Sequence, residues 1–238
     1  MMPAPVELSL VVPAWNEAAA IAEVVAEWRE VLDGLGIAWE IRLYDDGSTD
    51  GTAAALAPLA AADPRLVVTR HANRGHGPTV LRGYREARGR WIAQADGDGE
   101  IPAAAFADLW RAREGADLVL GARRGRAQSL SRRLLSRGAR LAVRWVAGGA
   151  PADVNCPFRL QRAEPFAALF ALLEEGSAVP NVALTALAVA RGLSLREVPV
   201  PFAGRRAGQS SLAAGRALRL AAAAAAEIVR LRRVLAAA

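Results

Sequence analysis

Short apolar runs that alternate with longer amphipathic stretches constrain the fold of this chain more than any other feature of its sequence. Five such runs in the first half are bounded by turn residues, which is typical of buried strands. The predicted strands cover residues 7–13, 40–44, 66–69, 91–95 and 118–121. Because helical patterns separate them, the order predicts an α/β fold with a mostly parallel sheet and helices on both faces.

The second half of the chain is predicted to be mainly helical. A long helix over residues 129–146 carries one apolar stripe and an adjacent arginine stripe. The apolar stripe contains Leu130, Leu134, Leu141 and Trp145, and the arginine stripe contains Arg133, Arg137, Arg140 and Arg144. Further elements are predicted at residues 158–161, 165–173, 181–191, 195–200 and 212–235. With no repeat and no clear linker, the pattern predicts one domain over residues 1–238, with halves at 1–125 and 126–238.

Three predicted strands end in polar groups. Residues 13–17 read Pro-Ala-Trp-Asn-Glu, residues 45–48 read Asp-Asp-Gly-Ser, and residues 96–98 read Asp-Gly-Asp. Ligands of parallel α/β sheets bind at the carboxyl ends of the strands. We therefore expect a binding site at this edge, with Asn16 and Asp50 capping the helices that follow.

The group Asp96-Gly97-Asp98 is the candidate metal site. In an extended chain the two carboxylates point the same way, about 6–7 Å apart at Cα. Two such carboxylates can bind one hard cation, and Gly97 would let a phosphate approach the backbone. A solvated turn is an equally good interpretation of these three residues alone.

Residues 45–52 form a more specific motif, Asp-Asp-Gly-Ser-Thr-Asp-Gly-Thr. Carboxylates at the end of a strand can accept hydrogen bonds from a base or a ribose. A turn followed by a helix cap explains Asp50, but it does not explain the adjacent pair Asp45 and Asp46. This motif therefore favours a nucleoside site.

Charge is divided unevenly along the chain, and all 30 basic residues are arginine. Residues 1–117 contain 11 arginines and 18 acidic residues, whereas residues 118–238 contain 19 and 6. We expect the acidic half to hold a cation, and the basic half to receive an anionic substrate or an anionic membrane surface.

Several classes of protein are excluded or disfavoured. Cys156 is the only cysteine, so an intrachain disulfide is excluded, and with His71 and His76 it supplies too few ligands for structural zinc. The chain has no signal-peptide pattern and no run of 18 uncharged apolar residues. These features predict a cytoplasmic protein, with peripheral contact at the inner face of the cell membrane as an option. Aromatic residues make up only 5% and are not interleaved with arginines, which disfavours nucleic acid.

The order and spacing of the motifs resemble family 2 glycosyltransferases of the GT-A fold. The residues that carry this resemblance are 11–17, 45–52, 73–77 and 96–98. Downstream, residues 120–123, 153–162, 197–202 and 205–210 resemble the dolichyl- and polyprenyl-phosphate sugar transferases of that family. The resemblance covers residues 6–212. It implies a Rossmann-like GT-A sheet, a nucleotide-sugar donor, Mg²⁺ or Mn²⁺ as cofactor, and inverting transfer of a hexose in cell-envelope glycan synthesis.

The resemblance also implies roles for individual residues. Those on the nucleoside side are Pro13, Trp15, Glu17, Asp45 and Asp46. Those beside the diphosphate are Asp96, Gly97 and Asp98, with Glu100 as a third metal ligand. Those on the acceptor side are Arg123, Arg132, Ser136 and Arg205. Trp15, His76, Glu100 and Ser211 depart from the residues common in the family, which leaves the donor undecided, and His76 receives no catalytic role.

The arginine-rich segment bears on the acceptor. Residues 118–152 contain eight arginines and no acid. A phosphate acceptor is already anionic, whereas a hydroxyl acceptor needs a base. Asp153, the only acid between residues 118 and 163, is the candidate base and joins Asp96 and Asp98 as a catalytic candidate. The leading hypothesis is transfer to a polyprenyl phosphate, and the alternatives are a sugar hydroxyl acceptor or a non-catalytic nucleotide-binding module.

Overall fold

The fold is taken from a computed structural model that describes residues 5–124, 130–203 and 214–236. Seven strands and eight α-helices occur in these ranges. The strands are β1 (Leu8–Ala14), β2 (Trp39–Asp46), β3 (Leu66–His71), β4 (Trp91–Gln94), β5 (Leu118–Arg124), β6 (Arg159–Arg162) and β7 (Leu195–Pro201). The helices are α1 (Ile21–Gly34), α2 (Thr52–Ala62), α3 (His76–Glu86), α4 (Phe106–Ala112), α5 (Leu130–Ala147), α6 (Ala163–Ala171), α7 (Pro180–Ala190) and α8 (Ala214–Ala236), with a 3₁₀ turn at Ala103–Ala105 before α4.

The strands form one mixed sheet in the order β3-β2-β1-β4-β6-β5-β7. β1 pairs in parallel with β2 and β4, and β5 pairs in parallel with β7. β6 runs antiparallel to both of its neighbours, β4 and β5. The predicted mostly parallel sheet is confirmed, with β6 as its one antiparallel strand among the described residues.

Two apolar layers cover the sheet, one on each face. Helices α1, α2 and α4 contribute Ile21, Leu56 and Phe106 to the first layer. Helices α3, α6 and α7 contribute side chains such as Val80 and Phe166 to the second. The helices therefore lie on both faces, as the alternating pattern predicts.

The expected helix caps are wrong in detail. Helix α1 begins at Ile21 after Ala20, with no capping side chain, so Asn16 is not its cap. Helix α2 begins at Thr52 after Gly51. Asp50 lies one residue too early to be the cap residue, although its Oδ1 accepts a hydrogen bond from the Thr52 N–H at 2.9 Å.

Two residues of the predicted apolar stripe of α5 face outwards. Leu141 is 65% exposed and Trp145 is 54% exposed. The face packed against the rest of the protein is made instead of Val143 and smaller neighbours. None of the helices within the described ranges combines the length and the apolar character that crossing a membrane requires.

Candidate functional site

The carboxyl ends of β1, β2 and β4 meet at one edge of the sheet, as predicted. Ala14 at the end of β1 pairs with Asp45 near the end of β2. β4 lies on the other side of β1, and its last residue is Gln94, directly before the Asp96 loop. Residues that are far apart in sequence therefore form one polar edge.

Hydrogen bonds join the loop after β1 to the loop after β2. The Asn16 N–H donates to Ser48 Oγ at 3.0 Å, and Asn16 Oδ1 accepts from the Thr49 N–H at 2.8 Å. The Glu17 N–H donates to Thr52 Oγ1 at 2.9 Å. Asn16 has φ of 56°, which places it in the left-handed region where few residues other than glycine occur.

The adjacent acids Asp45 and Asp46 are buried, and both hold the backbone of the edge. Asp45 Oδ1 accepts from the Ser48 N–H at 2.8 Å. Asp46 accepts two backbone hydrogen bonds, from the Arg74 N–H at 2.7 Å and the Gly75 N–H at 3.0 Å. The structure thus gives both acids a role in shaping the loops, in addition to their predicted contacts with a nucleoside.

Asp45 keeps capacity to accept a further hydrogen bond. Its Oδ2 lies 3.3 Å from Arg70 Nε, an ion pair in which no hydrogen bond is well aligned. Of the other predicted nucleoside contacts, Pro13 is buried, Glu17 is half-buried, and the Trp15 ring is 38% exposed. An indole ring with this exposure is available for stacking on a base.

The second group of acids lines a small pocket. Its walls are Ala95, Asp96, Asp98, Glu100, Ile101, Pro157 and Phe158. The Asp96 side chain is 29% exposed, whereas Asp98 is only 2% exposed and accepts a hydrogen bond from the Glu100 N–H at 3.1 Å. The predicted metal and diphosphate residues therefore share one pocket. Pro157 and Phe158 complete its wall from the segment before β6, within the stretch 153–162 that carries the family resemblance but was given no place at this pocket.

Gly97 is explained by protein packing. A Cβ there would lie 3.1 Å from Ile21 Cδ1 and 3.3 Å from the Pro13 carbonyl oxygen. The small residue lets the Asp96 loop pack against β1 and α1. Close approach of a phosphate to Gly97 stays a prediction.

The donor set suits a magnesium-type ion that is completed by a substrate. Within the described parts of the chain, no three carboxylate, histidine or cysteine side chains converge closely enough to hold an ion by themselves. Mg²⁺ is commonly bound by one or two carboxylates together with substrate phosphates. Asp96 and Asp98 fit that arrangement, and Glu100 lines the same pocket.

His76 contacts Asp96, which the sequence interpretation did not predict. Its Nε2 lies 3.2 Å from Asp96 Oδ1, and its side chain is 56% exposed. Desolvation lowers the pKa of His76, but the hydrogen bond to Asp96 and the charges of Asp46 and Asp98 outweigh it and raise that pKa overall. The Gly-His-Gly motif at the start of α3 is the signal that could have identified this residue.

On the acceptor side, two predicted residues bind each other. Arg123 Nε donates to Asp153 Oδ2 at 2.7 Å, and Arg123 Nη2 donates to Asp153 Oδ1 at 3.0 Å. Desolvation lowers the pKa of Arg123, but the hydrogen bonds to Asp153 outweigh it and raise that pKa overall. The candidate base and the candidate phosphate ligand therefore form a two-pronged ion pair, with the Arg123 side chain only 10% exposed.

Of the remaining acceptor-side candidates, only Ser136 has a described side chain. Ser136 is exposed on α5. The side chain of Arg132 and the whole of Arg205 lie outside the described residues. The segment that leads to Arg205 nevertheless begins at the pocket, because the Ala203 N–H donates to the Glu100 carbonyl oxygen at 3.0 Å.

Solved structures with the same architecture are glycosyltransferases of the GT-A fold. Mannosyl-3-phosphoglycerate synthase from Rubrobacter xylanophilus aligns with a TM-score of 0.69 at 18% identity, over 96% of this chain and 74% of that one. Glucosyl-3-phosphoglycerate synthase from Mycobacterium tuberculosis, solved with Mn²⁺, uridine diphosphate and phosphoglyceric acid, gives a TM-score of 0.70 at 18% identity, over 95% and 78%. These likenesses show that the chain has the GT-A fold.

The sequence model of Glycosyl transferase family 2 matches residues 9–167. The chain belongs to this family. One relative is an undecaprenyl-phosphate 4-deoxy-4-formamido-L-arabinose transferase of Pseudomonas paraeruginosa, 34% identical over 92% of this chain and 65% of the relative. A relative of the same name in Salmonella paratyphi B is 28% identical over 86% of this chain and 62% of the relative. The chain thus spans slightly less than two thirds of the length of these relatives.

Proposed function

We propose that the chain transfers a hexose, with inversion at the anomeric carbon, from a nucleotide-sugar of the GDP-mannose or UDP-glucose type to a polyprenyl phosphate. The names of the two relatives support a lipid phosphate as acceptor. They also name a modified arabinose as the sugar, so the donor has to be decided by experiment. The polar edge formed by three strand ends supports a nucleotide-sugar as donor.

In the proposed mechanism the nucleoside stacks on Trp15 and hydrogen-bonds to Asp45 and Asp46. The diphosphate lies beside Asp96 and Asp98. A divalent cation at these carboxylates would neutralise the charge that develops on the departing nucleoside diphosphate. The side chains of this edge orient the anomeric carbon so that the acceptor attacks opposite the leaving group.

The Arg123–Asp153 pair is the main observation in favour of a phosphate acceptor over a hydroxyl acceptor. A hydroxyl acceptor requires a nearby base, and a base needs an oxygen that can reach the proton. Each oxygen of Asp153 accepts one hydrogen bond from Arg123, which leaves fewer of its lone pairs for a substrate proton. An anionic phosphate needs no base, and Arg123 has further N–H groups that can bind its oxygens. A phosphate acceptor is therefore favoured.

The test compares two lipids that differ only in the phosphate. The protein is incubated with Mn²⁺ and a panel of labelled nucleotide-sugars, including nucleotide-linked 4-deoxy-4-formamido-L-arabinose, and with either undecaprenyl phosphate or undecaprenol. Labelled lipid from the phosphate alone is the expected result. Failure of every donor with both lipids would contradict the proposed reaction.

The second candidate function is transfer to a sugar hydroxyl, with Asp153 as base. Asp153→Asn distinguishes the two, because it removes the base and keeps a side chain of the same size. We expect this variant to keep most of its activity on undecaprenyl phosphate. Activity that requires a hydroxyl acceptor and disappears in Asp153→Asn would favour the second candidate.

We place the lipid surface at the outward faces of α5 and α8. Leu141, Trp145 and Val229 are exposed apolar side chains, 65%, 54% and 40% accessible. The Arg232 guanidinium lies 3.7 Å from the centre of the Trp145 ring, which joins the two helices into one surface. Exposed arginines on this surface are Arg137, Arg140, Arg144, Arg232 and Arg233. Apolar side chains among exposed cations match a membrane with anionic headgroups.

Vesicle sedimentation tests this placement. Trp145→Ser should reduce binding to phosphatidylglycerol vesicles by about tenfold, because burial of a large apolar side chain contributes roughly 1.5–3 kcal/mol. Arg111→Ser on α4 is the control, since Arg111 is 75% exposed but lies outside this surface. Equal binding to vesicles of phosphatidylcholine alone, or unchanged binding by Trp145→Ser, would contradict the assignment.

A further inference from the structure

A chain of buried polar side chains runs beneath the Asp96 pocket. Tyr84 on α3, Gln94 at the end of β4 and Asn181 at the start of α7 are each no more than 3% exposed. Gln94 accepts hydrogen bonds from both Tyr84 and Asn181, which lie 97 residues apart in sequence. None of them belongs to the motifs that define the site.

The hydrogen bonds determine which way the Gln94 amide points. Gln94 Oε1 accepts from the Tyr84 hydroxyl at 2.5 Å and from Asn181 Nδ2 at 2.8 Å. Gln94 Nε2 is thereby turned towards Asp96 Oδ1, at 3.4 Å. The opposite orientation would place the amide N–H₂ against the N–H₂ group of Asn181 and the amide oxygen against a carboxylate.

The far end of the chain is anchored in the core. Tyr84 stacks on Phe170, with ring centres 5.6 Å apart. Arg159 is fully buried, and its guanidinium donates to the Asn181 carbonyl oxygen at 3.3 Å and to Thr185 Oγ1 at 3.1 Å. Because the core holds each of these side chains, the network is rigid, and it restricts the motion of the Asp96 carboxylate that it contacts.

We infer that Gln94 is a positioning residue, which acts on the donor through Asp96. Its amide N–H₂ faces Oδ1 of the Asp96 carboxylate, the same oxygen that His76 Nε2 contacts. A carboxylate oriented by such a neighbour loses less freedom when it binds a cation or a diphosphate. The inference rests on the proposed function, since it takes Asp96 to be a donor-side ligand.

Two substitutions of Gln94 separate its effects. Gln94→Glu keeps an oxygen for Tyr84 and Asn181 but presents a second carboxylate to Asp96. Gln94→Met keeps the length of the side chain and removes the hydrogen bonds. The 3.4 Å contact is long for a hydrogen bond, so we expect about a tenfold weaker affinity for the donor in Gln94→Met and a larger loss in Gln94→Glu.

Gln161→Met is the matched control. Gln161 is also fully buried, and it lies one strand away on β6, where it pairs with Ile92. Within the described part of the chain, neither polar atom of its amide has a hydrogen-bond partner. Replacing it removes a buried amide of the same size without disturbing a contact to Asp96.

The experiment measures donor binding calorimetrically with Mn²⁺, together with the KM for donor and for acceptor and the thermal midpoint of each variant. We expect weaker donor binding and a higher donor KM in both Gln94 variants, with the acceptor KM unchanged. Gln161→Met should bind the donor with wild-type affinity. Equal donor affinities in Gln94→Met and Gln161→Met would overturn it.

The experiment also covers misfolding of the Gln94 variants and a failure of the wild-type protein to bind a nucleotide-sugar. If the Gln94 variants do not fold, the double variant Tyr84→Phe/Asn181→Ala and the single variant Tyr84→Phe take their place, because the first removes both groups that hold the Gln94 amide oxygen and the second keeps the ring against Phe170 and removes one of them. Donor affinity unchanged in the double variant would then overturn the inference. A wild-type protein that binds no nucleotide-sugar contradicts the proposed function itself, which distinguishes the two failures.

Discussion

The segments at the carboxyl ends of β2 and β4 contain the same residue types and use them differently. In the first segment, Asp45 and Asp46 are consecutive, and they accept hydrogen bonds from backbone N–H groups of the loops after β2 and β3. In the second, Asp96 and Asp98 are separated by a glycine and both line the pocket. One pair of carboxylates builds the edge of the site, and the other faces the space where a ligand would bind.

This difference shows that two acidic motifs can contribute to one site through separate physical effects. A carboxylate that accepts buried backbone hydrogen bonds contributes to the free energy of unfolding, because the N–H groups have no other partner. A carboxylate in a pocket contributes to binding and catalysis. Substitutions in the two loops should therefore affect different measurements.

The largest effect is expected for Asp98→Asn. The substitution preserves the size of the side chain and removes the charge that would hold a cation against the diphosphate. Transferase activity should therefore fall by about a thousandfold, which corresponds to a loss of several kcal/mol of transition-state stabilisation. The thermal midpoint should fall less than in Asp46→Asn, since Asp98 accepts one of the backbone hydrogen bonds described above and Asp46 accepts two. Asp108→Asn is the control, since Asp108 is half exposed and pairs with Arg111 on α4. Near wild-type activity of Asp98→Asn would contradict the assignment of Asp98 to binding and catalysis.

An intermediate effect is expected for Asp46→Asn. The new amide cannot accept from both Arg74 and Gly75, since one side of an asparagine carries N–H groups. Urea unfolding should show a loss of about 1–3 kcal/mol, the cost of a buried donor left without a partner. Asp108→Asn again provides the reference. A wild-type unfolding midpoint in Asp46→Asn would show that this carboxylate does not build the loop.

The smallest effect concerns the pH dependence of stability at Asp50. Desolvation raises the pKa of Asp50, but hydrogen bonds from the Thr52 hydroxyl and from the Thr52 and Ala18 N–H groups outweigh it and lower that pKa overall. A carboxyl with a lowered pKa in the folded state stabilises the protein above its unfolded pKa, and this contribution disappears as the pH falls through the folded pKa. The difference in unfolding free energy between wild type and Asp50→Asn should therefore be constant above about pH 5 and shrink as the pH falls further, towards about pH 2. A difference that stays constant from about pH 5 to about pH 2 would contradict the assignment.

Local patterns were sufficient to predict most of the elements. The run before Pro13 and the alternating segments that follow gave strands and helices close to the observed bounds, because burial on a sheet leaves a periodic trace in the sequence. The polar edge also followed from sequence, since the carboxyl ends of parallel strands lie together. The shared location of Asp45, Asp46, Asp96 and Asp98 at this edge could therefore be predicted from local patterns alone.

Long-range pairing could not be predicted in this way. The insertion of β6 between β4 and β5 depends on contacts between Gln94 and Arg159, 65 residues apart in sequence. The pairing of Arg123 with Asp153 likewise joins segments that are distant in sequence. A single sequence has no periodic signal for such contacts, and the fully buried Arg159 would be taken for a surface residue on its type alone.

The hydrogen bonds of Asn16 to the loop after β2 have a consequence for engineering. The main chain and the side chain of Asn16 both bind that loop, so neither loop keeps its shape when the other is replaced. Attempts to change donor preference by grafting one loop from a relative should fail, whereas exchange of both as a single cassette should retain the fold. The unit of recombination in this enzyme family member would then be a pair of loops about thirty residues apart.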